Sequence, residues 1–352
     1  MFIHSKLRRV AAAAVVFLFC DAAIRAAQAT ASPLQTPTTY RQITDEVGRT
    51  IRVPQSIHRI VSLAPNLTET VYALGLQDRL VGDTDYCDFP AAAQQKTKVG
   101  GAVNPSLEAI AALHPDLVLV TKNLNRLETV QALADIGIPS YATDPHTVDA
   151  IITSVARLAD LLGVPETGTA LAADLERQLA ALQDRLSSLP PRRVLFIVWT
   201  EPLISIGKDT FITDALRHAG AVSVIDSSQN WPQVNLEEVV HLQPEFLIFV
   251  ESHFGAAPHG ADALADLPGW RLLNAVRNRR YATIGDAINR PAPRLVRAVE
   301  DLARQLHPEA FVEKPQNYKE QVNPPAPSSP PRRASFASTF NAEILKEQAC
   351  AL

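Results

Sequence analysis

The sequence predicts an α/β protein of two lobes with mostly parallel sheets, joined by a single long helix, and three observations carry that prediction. The first is the stretch from Pro165 to Leu189, where Leu171, Leu175, Leu179, Leu182, Leu186 and Leu189 recur every three or four residues on one helical face, with charge opposite. Free of Gly and Pro after its first turn, the stretch spans roughly 35 Å, enough to connect two bodies. The second is an internal repeat: SLEAIAALHPDLVLVT (106–121) returns as NLEEVVHLQPEFLIFV (235–250) without a gap. Leu107 and Leu236, Glu108 and Glu237, Leu113 and Leu242, and Pro115 and Pro244 fall in register. The third is the order of the flanking segments. RIVSLAP opens the first half as RVLFIVWT opens the second, and LTETVYALGLQ is matched by FITDALRHAGA. Each half therefore reads as βα units around a buried sheet, with a ligand cleft between the lobes.

Taken in order, residues 1–29 read as a signal peptide: Lys6, Arg8 and Arg9, an apolar run from Val10 to Cys20, then Ala27-Gln28-Ala29 as the cleavage signal. Phe19 stands before Cys20 where lipoprotein processing uses a small residue, which argues against lipid attachment there. Residues 30–41 are rich in Pro, Thr and Ser and read as a flexible lead. The first lobe covers 42–147. It opens with a hairpin in DEVGRTIRVP, followed by the strand RIVSL and a helix with Thr68 as its expected N-cap and Gly75 as its stop. A linker region with the long helix covers 148–190, and the second lobe 191–312. Residues 313–352, led by KPQNYKEQVNPPAPSSPP, lack the apolar density to pack and read as a disordered tail. A helical connector resists hinge bending, so only small lobe motion is expected.

The 352 residues carry a net charge of -4, which gives no electrostatic argument for nucleic acid or an anionic membrane as partner. With the signal removed, Cys87 and Cys350 remain, too few for a disulfide framework. Alternating strands and helices also fit a nucleotide-binding fold, but no Gly-x-Gly-x-x-Gly follows RIVSLAP and no Walker sequence occurs. No Gly-x-Ser-x-Gly elbow occurs, and nothing ties a His or Asn to Cys87, so no catalytic residue is assigned and an enzyme is the outside alternative. Of the nine histidines only His253 and His259 share a plausible cleft loop, fewer than a closed metal site needs. Neither a metal nor a cofactor is expected.

Ligands of such α/β lobes bind at the loops after the strand C-termini. Those loops are APNLTE with Asn66, DTDYCDFP with Tyr86 and Phe89, WTEP with Trp199, SSQNWPQ with Trp231, and GDAINRPAP with Asp286 and Arg290. In a chain only 6% aromatic, rings gathered in loops suggest flat contact surfaces. Tyr86 and Trp231 occupy similar places in their lobes and face each other across the cleft in one reading; in the other each packs against its own lobe.

RIVSLAPNLTETVYALG, VGDTDYCDFP, LEAIAALHPDLVLV, SSQNWPQVNLEEVVHLQPEFLIF and NRPAPRLVRAVEDLA together resemble the helical-backbone class of ABC-transporter substrate-binding proteins. Within that class they resemble the periplasmic cobalamin-binding proteins, over about Gln42 to Phe311. The resemblance implies two Rossmann-like lobes, a periplasmic monomer, and cobalamin or a related corrinoid as ligand. By motif match Tyr86 and Trp231 line the corrin ring, while Asp286 and Arg290 hydrogen-bond its amide side chains; alternatively Arg290 pairs with Asp286 and only fixes the loop. Glu108 and Glu237 fall on equivalent helices, and in the family the equivalent acids dock onto arginines of the paired transmembrane permease subunits. The plain alternative is that each stabilises its helix N-terminus. Ala102 and Thr121 stand where cobalamin binders carry further tryptophans, which leaves room for heme or a ferric siderophore. A siderophore would call for cations in the cleft, and only Arg290, Lys122 and Arg126 are placed to supply them.

Overall fold

The computed structural model describes residues 39–251 and 264–312. The signal segment, residues 30–38 of the lead, His253, His259, Cys350 and the tail from 313 lie outside the described residues. Strands β1 (Tyr40–Thr44) and β2 (Thr50–Pro54) pair antiparallel. Their turn passes through Gly48 at φ +83°, a conformation that favours a residue without Cβ. The buried Asp45 carboxylate secures the turn by accepting from the backbone N–H groups of Val47 (3.2 Å) and Arg49 (2.8 Å). The hairpin starts at Tyr40, two residues before the lobe boundary expected at Gln42.

The first lobe is a five-stranded parallel sheet in the order β5-β4-β3-β6-β7, built from β3 (Ile60–Ser62), β4 (Leu80–Asp83), β5 (Thr97–Lys98), β6 (Leu117–Thr121) and β7 (Ser140–Thr143). Around it lie α1 (Pro65–Ala73), α2 (Leu107–Ala112) and α3 (Leu127–Asp135). Every residue of β6 is buried, as a strand covered on both faces requires. Thr68 is not the N-cap of α1. The helix begins at Pro65, whose fixed φ suits the first helical position, after an extended Ala64. Thr68 is instead buried inside it and donates to the Ser62 hydroxyl at 2.9 Å. Gly75 does end the helix: at φ +72° its N–H bonds the Tyr72 carbonyl while the Leu76 N–H bonds that of Val71.

The connection between lobes is doubled. Helix α4 (Val148–Leu161) packs against α5 (Pro165–Leu186), the two joined by a turn at Gly163. Gly168 lets them approach, because a Cβ there would lie 2.2 Å from that of Ala159. On α5, Leu175, Leu179, Leu182 and Leu186 enter the second lobe's core, while Leu171 packs against the cores of both lobes. Burying each leucine is worth on the order of 2 kcal/mol. Helix α4 divides the same way: Val148, Ile151 and Ile152 join the second core, Val155, Leu158 and Leu161 the first. Its ends are held by opposite lobes. The Val148 N–H donates to Asp214 Oδ2 of the second lobe at 2.9 Å, and the Leu161 and Leu162 carbonyls accept from Arg41 (2.5 Å) and Arg79 (2.7 Å) of the first.

In the second lobe β8 (Arg192–Ile197) continues into a short hairpin of β9 (Trp199–Thr200) and β10 (Leu203–Ile204). With β11 (Ala221–Ser223), β12 (Phe246–Val250) and β13 (Tyr281–Ile284), β8 forms a parallel sheet ordered β11-β8-β12-β13. Helices α6 (Phe211–His218), α7 (Leu236–Leu242), α8 (Asn274–Arg277) and α9 (Leu295–Leu306) complete the described part. Both lobes and their connectors belong to one compact unit that ends at Phe311.

The sequence repeat is a structural repeat in fine detail. His114 and Gln243, 129 residues apart, both end their helices at φ +44°. Arg59 and Arg193, each entering its lobe's first parallel strand, donate to the carbonyls of Leu113 (2.7 Å) and Leu242 (2.8 Å). The Arg59 N–H bonds Asp116 at 2.9 Å, and the Arg193 N–H bonds the equivalent Glu245 at 3.1 Å.

Candidate functional site

In each sheet the strand order reverses beside the first parallel strand, between β3 and β6 and again between β8 and β12. The crevice at such a reversal, outside the strand C-termini, is where open α/β sheets bind ligands. Tyr86, Phe89 and Trp231 lie in these loops, whereas Trp199, expected in a loop, begins the short strand β9 because it pairs with Ile204 of β10. All four keep much of their surface open: Tyr86 is 46% exposed, Phe89 42%, Trp199 44% and Trp231 53%. None is absorbed into its lobe's core. The Trp199 indole N–H is nevertheless spoken for, donating to the Glu201 carbonyl at 2.9 Å. Asn66 sits in the first turn of α1 and is only 6% exposed, so it offers a ligand little surface.

The Tyr86 loop is fixed from below. The Lys98 ammonium donates to Asp83 Oδ1 at 2.8 Å and to the carbonyls of Thr84, Cys87 and Ala93, each at 3.2 Å. Burial pushes the Asp83 carboxyl up to about 6 against the pull of Lys98. Cys87 is fully buried between the hydroxyls of Thr68 and Thr84, both at 3.2 Å, and burial raises its thiol. That environment suits a packed thiol rather than a nucleophile. Asn125 ties three strand-end loops together: its amide donates to the carbonyls of Leu63 and Ala102, and its oxygen accepts from the Thr121 N–H. Ala102 and Thr121 are themselves buried, and the large apolar side chains that reach solvent beside them are Val103 and Leu124.

Arg290 does pair with Asp286, at 2.6 Å, but it also crosses to the other lobe. Its Nη1 donates to Glu69 Oε1 on α1 at 2.9 Å and to Asp88 Oδ1 at 2.5 Å. Arg294 grips the same Glu69 through two bonds, Nε to Oε2 at 3.1 Å and Nη2 to Oε1 at 2.8 Å, and its guanidinium lies 3.9 Å from the Phe89 ring centroid. Burial disfavours the Arg290 charge, yet Asp88, Asp286 and Glu69 outweigh it and hold the guanidinium protonated more firmly than usual. Burial likewise pushes the Asp88 carboxyl up, but Arg290 and Arg294 bring it below the usual carboxylate range. A cavity of about 270 Å³ beside this cluster is lined by Tyr72, Phe89, Pro293 and Arg294 among others.

Glu69, Asp88, Lys98 and Asn125 escaped the sequence reading. Glu69 lies in a short run of mixed polarity, LTETVYAL, in which no periodicity separates a buried acid from a solvated one.

Glu108 and Glu237 are exposed in the first turns of α2 and α7, behind Ser106 and Asn235 as N-caps. Glu108 also accepts from the Ser106 hydroxyl at 3.1 Å. A groove of about 870 Å³ next to α7, lined by Glu201, Pro202, Asn235, Leu236 and Trp270 among others, touches none of the four rings. Among the described residues no group of three or more His, Cys, Asp or Glu side chains is placed to hold a metal ion, and no helix is long and apolar enough to cross a membrane.

Two parallel-sheet lobes fixed by paired helices, with exposed rings at the strand C-termini of both, define a two-lobe ligand-binding protein. The family described as periplasmic binding protein matches residues 60–287, and the chain belongs to it. It is 31% identical over 259 residues to a vitamin B12-binding protein of Vibrio cholerae serotype O1, covering 72% of this chain and 90% of the relative. Among solved structures it is similar to the periplasmic vitamin B12 binding protein of Vibrio cholerae, at 28% identity and a TM-score of 0.63 over 73% of this chain and 99% of that one. It is as similar to a periplasmic heme-binding protein from Roseiflexus sp. RS-1, at 27% identity and a TM-score of 0.65 over 72% and 99%. These relatives are binding proteins, of vitamin B12 in two cases and of heme in the third.

Proposed function

We propose that this chain is exported to the periplasm, captures cobalamin or a related corrinoid between its lobes, and delivers it as a monomer to the permease dimer of an ABC importer. The observation that carries the reading is the pair of open rings, Tyr86 from one lobe and Trp231 from the other, at the strand C-termini where a flat macrocycle can stack. Phe89 and Trp199 extend these surfaces. Asp286 and Arg290 provide the polar corner. Glu108 and Glu237, exposed on equivalent helices, provide the permease contacts. A heme is the second reading, favoured by the equally similar heme-binding structure.

Titration of the mature protein with cyanocobalamin and with hemin, by calorimetry and tryptophan quenching, tests it. Saturable one-to-one binding of cyanocobalamin that weakens at least tenfold in Trp231→Ala supports the corrinoid reading. Hemin binding without cyanocobalamin binding replaces it with the heme reading.

A further inference from the structure

Glu69 holds both guanidinium groups of the polar corner although it belongs to the opposite lobe. Its side chain is 3% exposed and that of Arg290 13%, whereas Asp88 and Asp286 stand at 58% and 32%. Three carboxylates meet two guanidiniums here, a formal excess of one negative charge. What this corner turns outward most is the Asp88 carboxylate, while Arg290 is largely buried and Arg294, 29% exposed, is held by Glu69. The other cations at the cleft rim are likewise engaged: Lys122 with Asp144 at 2.6 Å and Arg126 with the Asn104 side-chain oxygen at 2.9 Å.

We propose that Glu69, with Asp88, is a specificity determinant that makes the cleft reject carboxylate-bearing ligands and accept their amide or hydroxyl counterparts. The inference rests on the corrinoid reading and deepens it, since the periphery of a corrinoid carries amides where that of a heme carries carboxylates. A ligand carboxylate reaching Arg290 must displace Asp88 or Glu69 and brings a further negative charge beside three carboxylates, while Glu69, 3% exposed, keeps only Arg294 as its cation. A ligand amide donates to the outward oxygens and displaces nothing. Discrimination follows because the wrong ligand adds like charge to the corner and strips a buried carboxylate of one of its two cations.

The experiment compares cyanocobalamin with its monocarboxylic acids, in which one propionamide has been hydrolysed, on the full mature protein by calorimetry. Wild type should prefer the amide by at least about tenfold, a value between the weak effect of one charge at a few ångströms in bulk water and the much larger one near a protein surface. That preference should shrink towards one in Glu69→Gln and in Asp88→Asn. The second variant changes an exposed side chain and remains informative if the first is poorly folded. A merely structural role would lower both affinities and leave their ratio unchanged. Equal affinity in wild type, or a preference unmoved in Asp88→Asn, overturns the proposal. If no corrinoid binds, the corrinoid reading falls separately, and the same variants are titrated with hemin and its dimethyl ester. Preference for the ester then upholds the role of Glu69, and preference for hemin, or binding of neither, removes it.

Discussion

In the first lobe the Tyr86 loop is held by side chains, with the Lys98 ammonium gathering three carbonyls and the buried Asp83. The Trp231 loop of the second lobe is held by backbone instead. The Ser205 N–H bonds the Pro232 carbonyl at 3.0 Å, the Gly207 N–H that of Asn230 at 2.9 Å, and the Val234 N–H that of Leu203 at 2.9 Å. Gly207 is what permits this, since a Cβ there would sit 1.8 Å from the Gln229 carbonyl oxygen. One repeat has thus acquired two ways of presenting a ring. The first depends on charge and hence on pH, the second on the absence of a side chain.

The sharpest way to break the contrast is Lys98→Met, which leaves Asp83 buried without its partner. About 3 kcal/mol of stability should be lost in urea denaturation, and Tyr86 should loosen before Trp231 does. A loss below about 1 kcal/mol would mean that the first loop, too, is held by its backbone. Gly207→Ala asks the converse. Overpacking against backbone should cost about 2 kcal/mol and weaken ligand binding through Trp231, with no new pH dependence.

Titration separates the lobes further. Because the folded pKa of Asp83 lies above its unfolded value, its protonated form favours the native state. That stabilisation is fully present below about 4 and is lost as the pH rises through about 6. Stability should therefore fall by about 2 kcal/mol between pH 4.5 and 7 from this group, and Asp83→Asn should remove that slope. Asp88 acts in the opposite sense. Its lowered pKa contributes stability at neutral pH that is lost as the solution is acidified below the ordinary carboxylate range.

The smallest effect belongs to the equivalent glutamates. Glu108→Ala and Glu237→Ala should each change stability by less than about 1 kcal/mol, since a helix N-terminal acid on the surface is worth little more. Both should leave ligand binding intact and reduce uptake by cells. Unequal loss of uptake would show that the lobes dock asymmetrically, and weakened ligand binding would remove the docking assignment.

Much of this was legible in the chain because local chemistry and periodicity settle it. The leucine stripe specified the face of α5, the gapless repeat specified matching α2-β6 and α7-β12 units, and Gly75 specified a helix end. Thr68 misled because several polar residues near a helix start can serve as caps, and Pro65 outranked it. Three of the rings could be assigned to loops, and the loops to strand ends, since strand polarity follows from βα alternation, while Trp199 was drawn into β9 by pairing with β10.

Only the tertiary structure decided which charges meet. Glu69 lies 221 residues from Arg290 and Asp88 lies 202 from it, and no spacing rule reaches that far. The same holds for α4, whose ends are held by Asp214 from one lobe and by Arg41 and Arg79 from the other, so that the expected long helix α5 is accompanied by a second one. Periodicity reports which face of a segment is buried, because burial is read along the segment itself. Which partner a buried charge finds depends on how separately folded segments are brought together, and that is a property of the packed lobes alone.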